Sequence, residues 1–286
     1  MKKWGCLFFI VLLVVGYKVV EPFAWGGQKQ LEGSNQEQAR ADQDYKTISV
    51  NEDQIYQGNL LLVNKDYPVH QEGVASDVVN LSRHDYLIDG YALIDGNIEL
   101  SEKVAESFLE MVQAASADHV NHFMINSGYR GFEEQRMLYE KMGSDYALPE
   151  GYSEHNLGLS LDIGSTQMKM DQAPEGKWLK KNAWKYGFIL RYPEDKVAIT
   201  GIQYEPWHYR YLGLPHSAII QEKHFTLEEY LDYLKEVKET TVTALGESYR
   251  IFYYPVAQDA MIQVPTNRKY VISGDNREGV IVTVYP

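Results

Sequence analysis

The sequence predicts mixed helix and strand structure with a β-rich C-terminal end. Three observations carry this. Apolar residues recur at helical spacing in three stretches between residues 101 and 186. Short alternating or apolar runs lie between them and read as strands. After residue 225 the chain changes to one amphipathic helix followed by short strands separated by Pro, Asn and Gly-Asp-Asn turns. The 286 residues are 44% hydrophobic, which is enough for one large domain or two modest ones. With 22 Tyr, 5 Trp and 9 Phe, the composition suits an ordered core over most of the chain.

The N-terminus reads Met1-Lys2-Lys3, then an apolar run from Trp4 to Val20 that Lys18 interrupts. Residues 1–25 are therefore expected to be a membrane anchor or a signal segment. No small-x-small pair precedes a sensible cut, which favours an uncleaved anchor. Cys6 sits at the start of the run rather than its end, so it is not placed like a lipoprotein acceptor. Lys2 and Lys3 would stay in the cytoplasm and the remainder would lie outside. Residues 26–47 are Gln-, Glu- and Gly-rich and read as a disordered linker, with a reach on the order of 25 Å.

The main domain is expected over 48–225. Ser101 caps a helix to Ala117 that carries Val104, Ala105, Phe108, Leu109, Met111, Val112 and Ala115 on its apolar stripe. His122–Asn126 reads as a strand that runs into Ser127-Gly128-Tyr129-Arg130. Phe132–Met142 is a helix stopped by Gly143. Leu159–Ile163 alternates with period 2, so Ser160 and Asp162 share one face. Lys177–Tyr186 is a helix ended by Gly187. Phe188–Tyr192 and Ile202–Tyr204 are strands broken by Pro193 and Pro206. The extension, 226–286, begins with a helix over Thr226–Thr240. Strands follow at 249–254, 261–264 and 280–284.

Charge narrows the partners. With 27 basic and 40 acidic residues the net charge is −13. Nucleic-acid binding is not expected, because phosphate repels such a chain. A single cysteine excludes an intrachain disulfide and a multi-cysteine metal site. Any metal must be held by His, Asp and Glu.

Polar groups concentrate in three places: Ser127–Arg130 with Gln135, Ser153–Asp162, and Tyr204–His208. A catalytic zinc needs three protein ligands and an open position. His155 and Asp162 can converge, and His208 would close the set. Pro206 makes a helix at Glu205 unfavourable, so Glu205 would stand near the metal without binding it, where a general base belongs. Arg130 would supply positive charge to a carboxylate or oxyanion. Spacing alone leaves other readings open. A His beside Trp207 fits a packed aromatic neighbour, Asp162 fits a turn former, and Arg130 fits a structural ion pair. His70, His84, His119, His122, His216 and His224 are expected at the surface or in local hydrogen bonds.

Together the segments SGYRGFEEQRMLY, ALPEGYSEHNLGLSLDIG, KWLKKNAWKYGFILRYPEDK and GIQYEPWHYRY resemble the VanY family of zinc D-Ala-D-Ala carboxypeptidases. The likeness runs from about Ile55 to about Pro215 and has no departure at the metal motif. It implies the α+β fold shared with lysostaphin-type peptidases and hedgehog domains. It also implies one Zn2+ per chain on His155, Asp162 and His208, with Glu205 as base. Arg130 would steady the carbonyl oxygen or terminal carboxylate, and Gln135 and Ser153 would contact substrate. The implied activity is removal of the C-terminal D-Ala from lipid-linked peptidoglycan pentapeptide precursors, which contributes to vancomycin-type resistance. The implied location is the bacterial cell membrane, single-pass, with the catalytic domain outside the cytoplasm. An L,D-carboxypeptidase acting on tetrapeptides, or an idle cell-wall binding module, would share the same motif. A D,D-dipeptidase also looks similar at the metal, but the apolar N-terminus argues against it. The resemblance leaves oligomeric state open.

Overall fold

In chain order the elements are β1 (Tyr45–Val50), β2 (Val78–Asn80), β3 (Ala92–Leu93), β4 (Glu99–Ser101), α1 (Glu102–Ala117), β5 (Phe123–Ser127) and α2 (Phe132–Met142). Next come β6 (Ser160–Ser165), α3 (Pro174–Asn182), β7 (Phe188–Leu190), α4 (Val197–Thr200), β8 (His208–Tyr211), α5 (His216–Lys223) and α6 (Leu227–Val237). The C-terminal strands are β9 (Glu239–Ala244), β10 (Glu247–Pro255), β11 (Ala260–Pro265), β12 (Tyr270–Gly274) and β13 (Gly279–Val284). This computed structural model describes residues 45–143, 147–257 and 260–286. The expected anchor and the linker as far as residue 44 lie outside the described residues. No helix among the described residues is long and apolar enough to cross a membrane.

The central sheet has the order β3-β5-β6-β8-β7. β3 runs parallel to β5 and the remaining pairs are antiparallel. Side-chain alternation gives its middle strands two different faces. Leu161, Ile163, Tyr209 and Tyr211 enter the main core with Phe108, Met111 and Val112 of α1. The cross-strand pairs Ser160–Arg210 and Asp162–His208 form the polar face. β5 carries a bulge between Ile125 and Ser127, which brings Ser127 opposite Asp162.

Helix ends follow local chemistry. Ser101 Oγ accepts from Val104 N at 3.4 Å and caps α1 as expected. α3 starts at Pro174, ahead of the expected Lys177, because proline suits the first helical turn. Its continuation to Tyr186 tightens into a 3-10 turn. Thr226 and Glu229 cap α6 reciprocally, at 3.2 and 2.8 Å. That helix ends at Val237 and not at Thr240, since Lys238 adopts φ 63° and Glu239 opens β9.

Two expectations are corrected. Ile202–Tyr204 is not a strand. Glu205 N donates to Tyr192 O and His208 N to Glu205 O, both at 3.2 Å, and this turn around Pro206 replaces sheet pairing. Tyr45, Lys46 and Thr47, placed in the linker by composition, are strand because β1 pairs with β11.

The C-terminal strands β12-β13-β10-β9 form a second, antiparallel sheet. Every residue of β13 is buried. Ile281 joins a cluster with Leu227, Leu231 and Leu234 of α6 and with Leu60, Ile189 and Leu212. Val280, Val282 and Val284 join a third cluster with Val50, Ile55 and Ile262. His216 is buried beside this sheet, with its ring nitrogens 2.6 Å from Tyr230 OH and 2.9 Å from Thr283 Oγ1.

Candidate metal centre

Backbone constraints aim the first imidazole. His155 lies in a 3-10 turn, Glu154–Leu157, where Ser153 Oγ accepts from His155 N at 3.3 Å. Gly158 then turns the chain into β6 with φ 77°, a conformation suited to glycine. The His155 Nδ1 lies 2.6 Å from the Gly128 carbonyl oxygen. A carbonyl accepts only, so Nδ1 carries the proton and Nε2 is left as the free donor atom. Gly128 has no alternative: a Cβ there would sit 2.1 Å from Glu99 O.

Register supplies the other two groups. Asp162 and His208 are paired across β6 and β8. Asp162 Oδ1 is 3.0 Å from His208 Nδ1 and 3.5 Å from His155 Nε2. The donor atoms of His155, Asp162 and His208 all lie within 4.8 Å of one another. Burial favours a neutral Asp162, but the two imidazoles outweigh it and hold the carboxyl well below its usual range. Burial likewise opposes charge on His208, yet bonds to Asp162 and Glu154 raise its ring to about 9. Metal binding at this set therefore displaces a proton. Two imidazoles and one carboxylate in tetrahedral reach fit zinc, whereas calcium and magnesium prefer all-oxygen sites.

Glu154 is the residue that sequence reasoning missed. It is wholly buried, and its Oε2 lies 3.3 Å from His208 Nε2 while accepting from Ser160 Oγ at 3.1 Å. Its Oε1 accepts from Arg191 Nε and Arg210 Nη1, each at 2.8 Å. Burial pushes this carboxyl up, but Arg210, Arg191 and His208 together hold it well below the ordinary value. Glu154 thus fixes the ring whose Nδ1 faces Asp162. The trace in the sequence is slight: Arg191 directly follows the apolar β7, and Arg210 stands between two tyrosines in β8.

The remaining expected residues line one cleft of 440 Å³ with the three donors. Glu205 Oε2 stands 3.9 Å from His208 Nδ1. Its carboxyl is raised, first by burial and then by Asp162 and Glu154, with His208 opposing. Arg130 Nη1 donates to Gln135 Oε1 at 2.7 Å and Nη2 to Ser127 Oγ at 2.9 Å. Gln135 Nε2 donates to Leu148 O at 2.6 Å. Both polar ends of Gln135 are thereby engaged, so it orients Arg130 within the cleft wall. Tyr192 packs on the His208 ring with centroids 4.9 Å apart.

A His-Asp-His set with a separate, raised carboxylate and a positioned arginine is the equipment of a metal-dependent hydrolase. Residues 97–214 match the VanY family, D-alanyl-D-alanine carboxypeptidase. A D-alanyl-D-alanine carboxypeptidase from Enterococcus faecium is 57% identical over 298 residues, spanning 100% of this chain and 97% of that protein. The chain belongs to the VanY family of D-alanyl-D-alanine carboxypeptidases. Among solved structures, the D,D-dipeptidase VanXYg in complex with a D-Ala-D-Ala phosphinate analogue is 33% identical, with a TM-score of 0.74. That match covers 85% of this chain and 100% of the neighbour. A mutant of the D,D-pentapeptidase VanY from a VanB-type resistance cassette, in complex with Zn(II), is 29% identical. Its TM-score is 0.50, over 60% of this chain and 98% of that one.

Proposed function

We propose that this chain is a zinc D,D-carboxypeptidase that removes the terminal D-Ala from peptidoglycan precursors ending in D-Ala-D-Ala. The observation that carries the reading is the convergence of His155, Asp162 and His208 beside Glu205. In this reading His155 Nε2, an Asp162 oxygen and His208 Nδ1 hold the metal. Zinc there supplies a Lewis acid that polarises the peptide carbonyl and makes water a stronger acid. Glu205 takes the proton of the attacking water, and its raised carboxyl suits that task. It then passes the proton to the departing D-Ala amine. Arg130, held by Gln135 and Ser127, pairs with the substrate carboxylate or the developing oxyanion. Ser153, at the cleft wall, keeps a hydroxyl proton for the substrate.

The lipid-linked form of the precursor, the single-pass membrane location and an extracytoplasmic catalytic domain are part of the same proposal. Their support is the Lys2-Lys3 and Trp4–Val20 pattern. Loss of the D-Ala-D-Ala end would remove the target of vancomycin-type antibiotics.

The test is D-alanine release by the full chain from a pentapeptide ending in D-Ala-D-Ala and from a tetrapeptide ending in one D-Ala. Chelator-sensitive release from the pentapeptide alone, lost in Glu205→Ala, is expected. Release from the tetrapeptide alone would move the chain to the L,D class. No release from either by folded, zinc-loaded protein would leave a binding module. Recovery of the chain in the supernatant after alkaline carbonate washing would overturn the membrane assignment.

A further inference from the structure

We infer that Glu228, on the C-terminal helix α6, is a positioning residue for the metal centre, acting on His208 through Arg191 and Glu154. The inference rests on the proposed reading of His208 as a metal ligand. Glu228 lies beyond the residues that match the family and does not line the cleft. It nevertheless ends an unbroken series of charged contacts. Arg191 Nη1 and Nη2 donate to the two Glu228 oxygens at 2.9 and 2.7 Å, the paired geometry of a strong guanidinium–carboxylate contact. Arg191 Nε donates to Glu154 Oε1 at 2.8 Å. The other Glu154 oxygen faces His208 Nε2 at 3.3 Å.

Charge balance explains why the last member matters. Arg191 and Arg210 both bear on Glu154, and the Arg191 and Glu154 side chains are 0% exposed. Two cations against one carboxylate would leave a buried excess of positive charge beside a cation site. Glu228, with a side chain 13% exposed, restores balance. It also engages the Arg191 nitrogens that would otherwise compete for Glu154. Oε2 of Glu154 then remains with His208. A carboxylate on the far nitrogen of a ligating imidazole fixes the ring and strengthens it as a donor.

The helix is built to hold this group in place. Thr226 and Glu229 cap its first turn, and the helix N-terminus favours a carboxylate there. Leu227, Tyr230, Leu231 and Leu234 anchor it in the core it shares with Ile189, two residues before Arg191. The C-terminal extension therefore reaches the metal through one glutamate.

The test compares full-length wild type, Glu228→Gln, Glu228→Asp, Asp232→Asn and His208→Ala. Zinc affinity is read by competition with a chromophoric chelator, and the visible bands of the Co(II)-loaded protein report ligand geometry. Glu228→Gln should weaken zinc binding by about 3- to 10-fold and shift the cobalt bands, with Glu228→Asp intermediate. Asp232, on the same helix as Glu228 but out of contact with the series, pairs at 2.7 Å with Arg277 in the turn between β12 and β13, and Asp232→Asn should change neither. If Glu228→Gln does not fold, Glu228→Asp carries the test, with a weakening of about twofold or more expected. A folded Glu228 variant with wild-type zinc affinity and cobalt spectrum would overturn the inference while leaving the site intact. Wild-type zinc affinity in His208→Ala would instead overturn the ligand assignment, and the inference with it.

Discussion

Around Glu154 the central sheet closes two arginines, a histidine and a serine onto one buried carboxylate. The C-terminal sheet answers its own buried carboxylate, Asp275, with the backbone N–H groups of Arg277, Glu278 and Gly279 and the Tyr253 hydroxyl. Most of the remaining side chains buried by that sheet are apolar. The contrast separates two ways of being ordered. A turn needs only local donors, which the backbone supplies wherever the chain bends. A metal centre needs side chains held at fixed angles, and buried ion pairs from distant segments provide that at a cost in desolvation.

Four experiments bear on this contrast. The largest effect is expected on chemistry without loss of structure: Glu205→Gln should lower kcat about 10³-fold, while metal analysis shows zinc retained. Unchanged turnover would remove Glu205 as the base. Next is stability on the charged side. Glu154→Gln leaves two buried guanidinium groups facing a neutral amide and should cost about 3–5 kcal/mol in denaturant unfolding. Asp275→Asn keeps the oxygen that accepts the three backbone N–H groups, loses the one that accepts from Tyr253, and should cost about 1–2 kcal/mol. Equal losses would erase the distinction between the two carboxylates.

A third experiment uses pH. Burial pushes the His216 ring down to about 3. The unfolded ring takes up its proton near 6.5 and the folded ring does not. The stability this provides is complete above pH 6.5 and is lost as pH falls from there toward 3, at about 1.4 kcal/mol per unit. Between pH 7 and 5 wild type should lose about 2 kcal/mol more than His216→Gln. Parallel stability curves for the two proteins would contradict this. The smallest effect is expected from Ile281→Val, which removes one methylene from a fully buried strand. It should cost about 1 kcal/mol and leave zinc affinity untouched. A change in zinc affinity there would show that apolar packing, and not the ion-pair series alone, sets the centre.

The reach of sequence reasoning differs between particular elements. α1 was legible because its cap and its apolar stripe are local patterns. The polar face of β6 was legible for the same reason, since alternation puts Ser160 and Asp162 together. β2, β3 and β4 were not, because two or three residues carry no period. The strand expected at Ile202–Tyr204 failed because apolar character there reflects packing of a turn. Glu154 was passed over in favour of its neighbour His155. Nothing local to it identifies Arg191 and Arg210 as its partners, 37 and 56 residues away.

From the residues alone came the donor types, the spacing of the motifs, the outlines of α1, α2, α3 and α6 with the Ser101 cap, and the acidic balance that argues against nucleic-acid partners. These depend on chemistry and periodicity within a few residues. The tertiary structure alone decided which nitrogen of each histidine faces Asp162, which buried carboxylate holds the far side of the His208 ring, and how the C-terminal helix joins the series. Those outcomes depend on strand register and on pairing between distant segments. Such contacts form only when burial makes an unanswered charge too costly to leave alone.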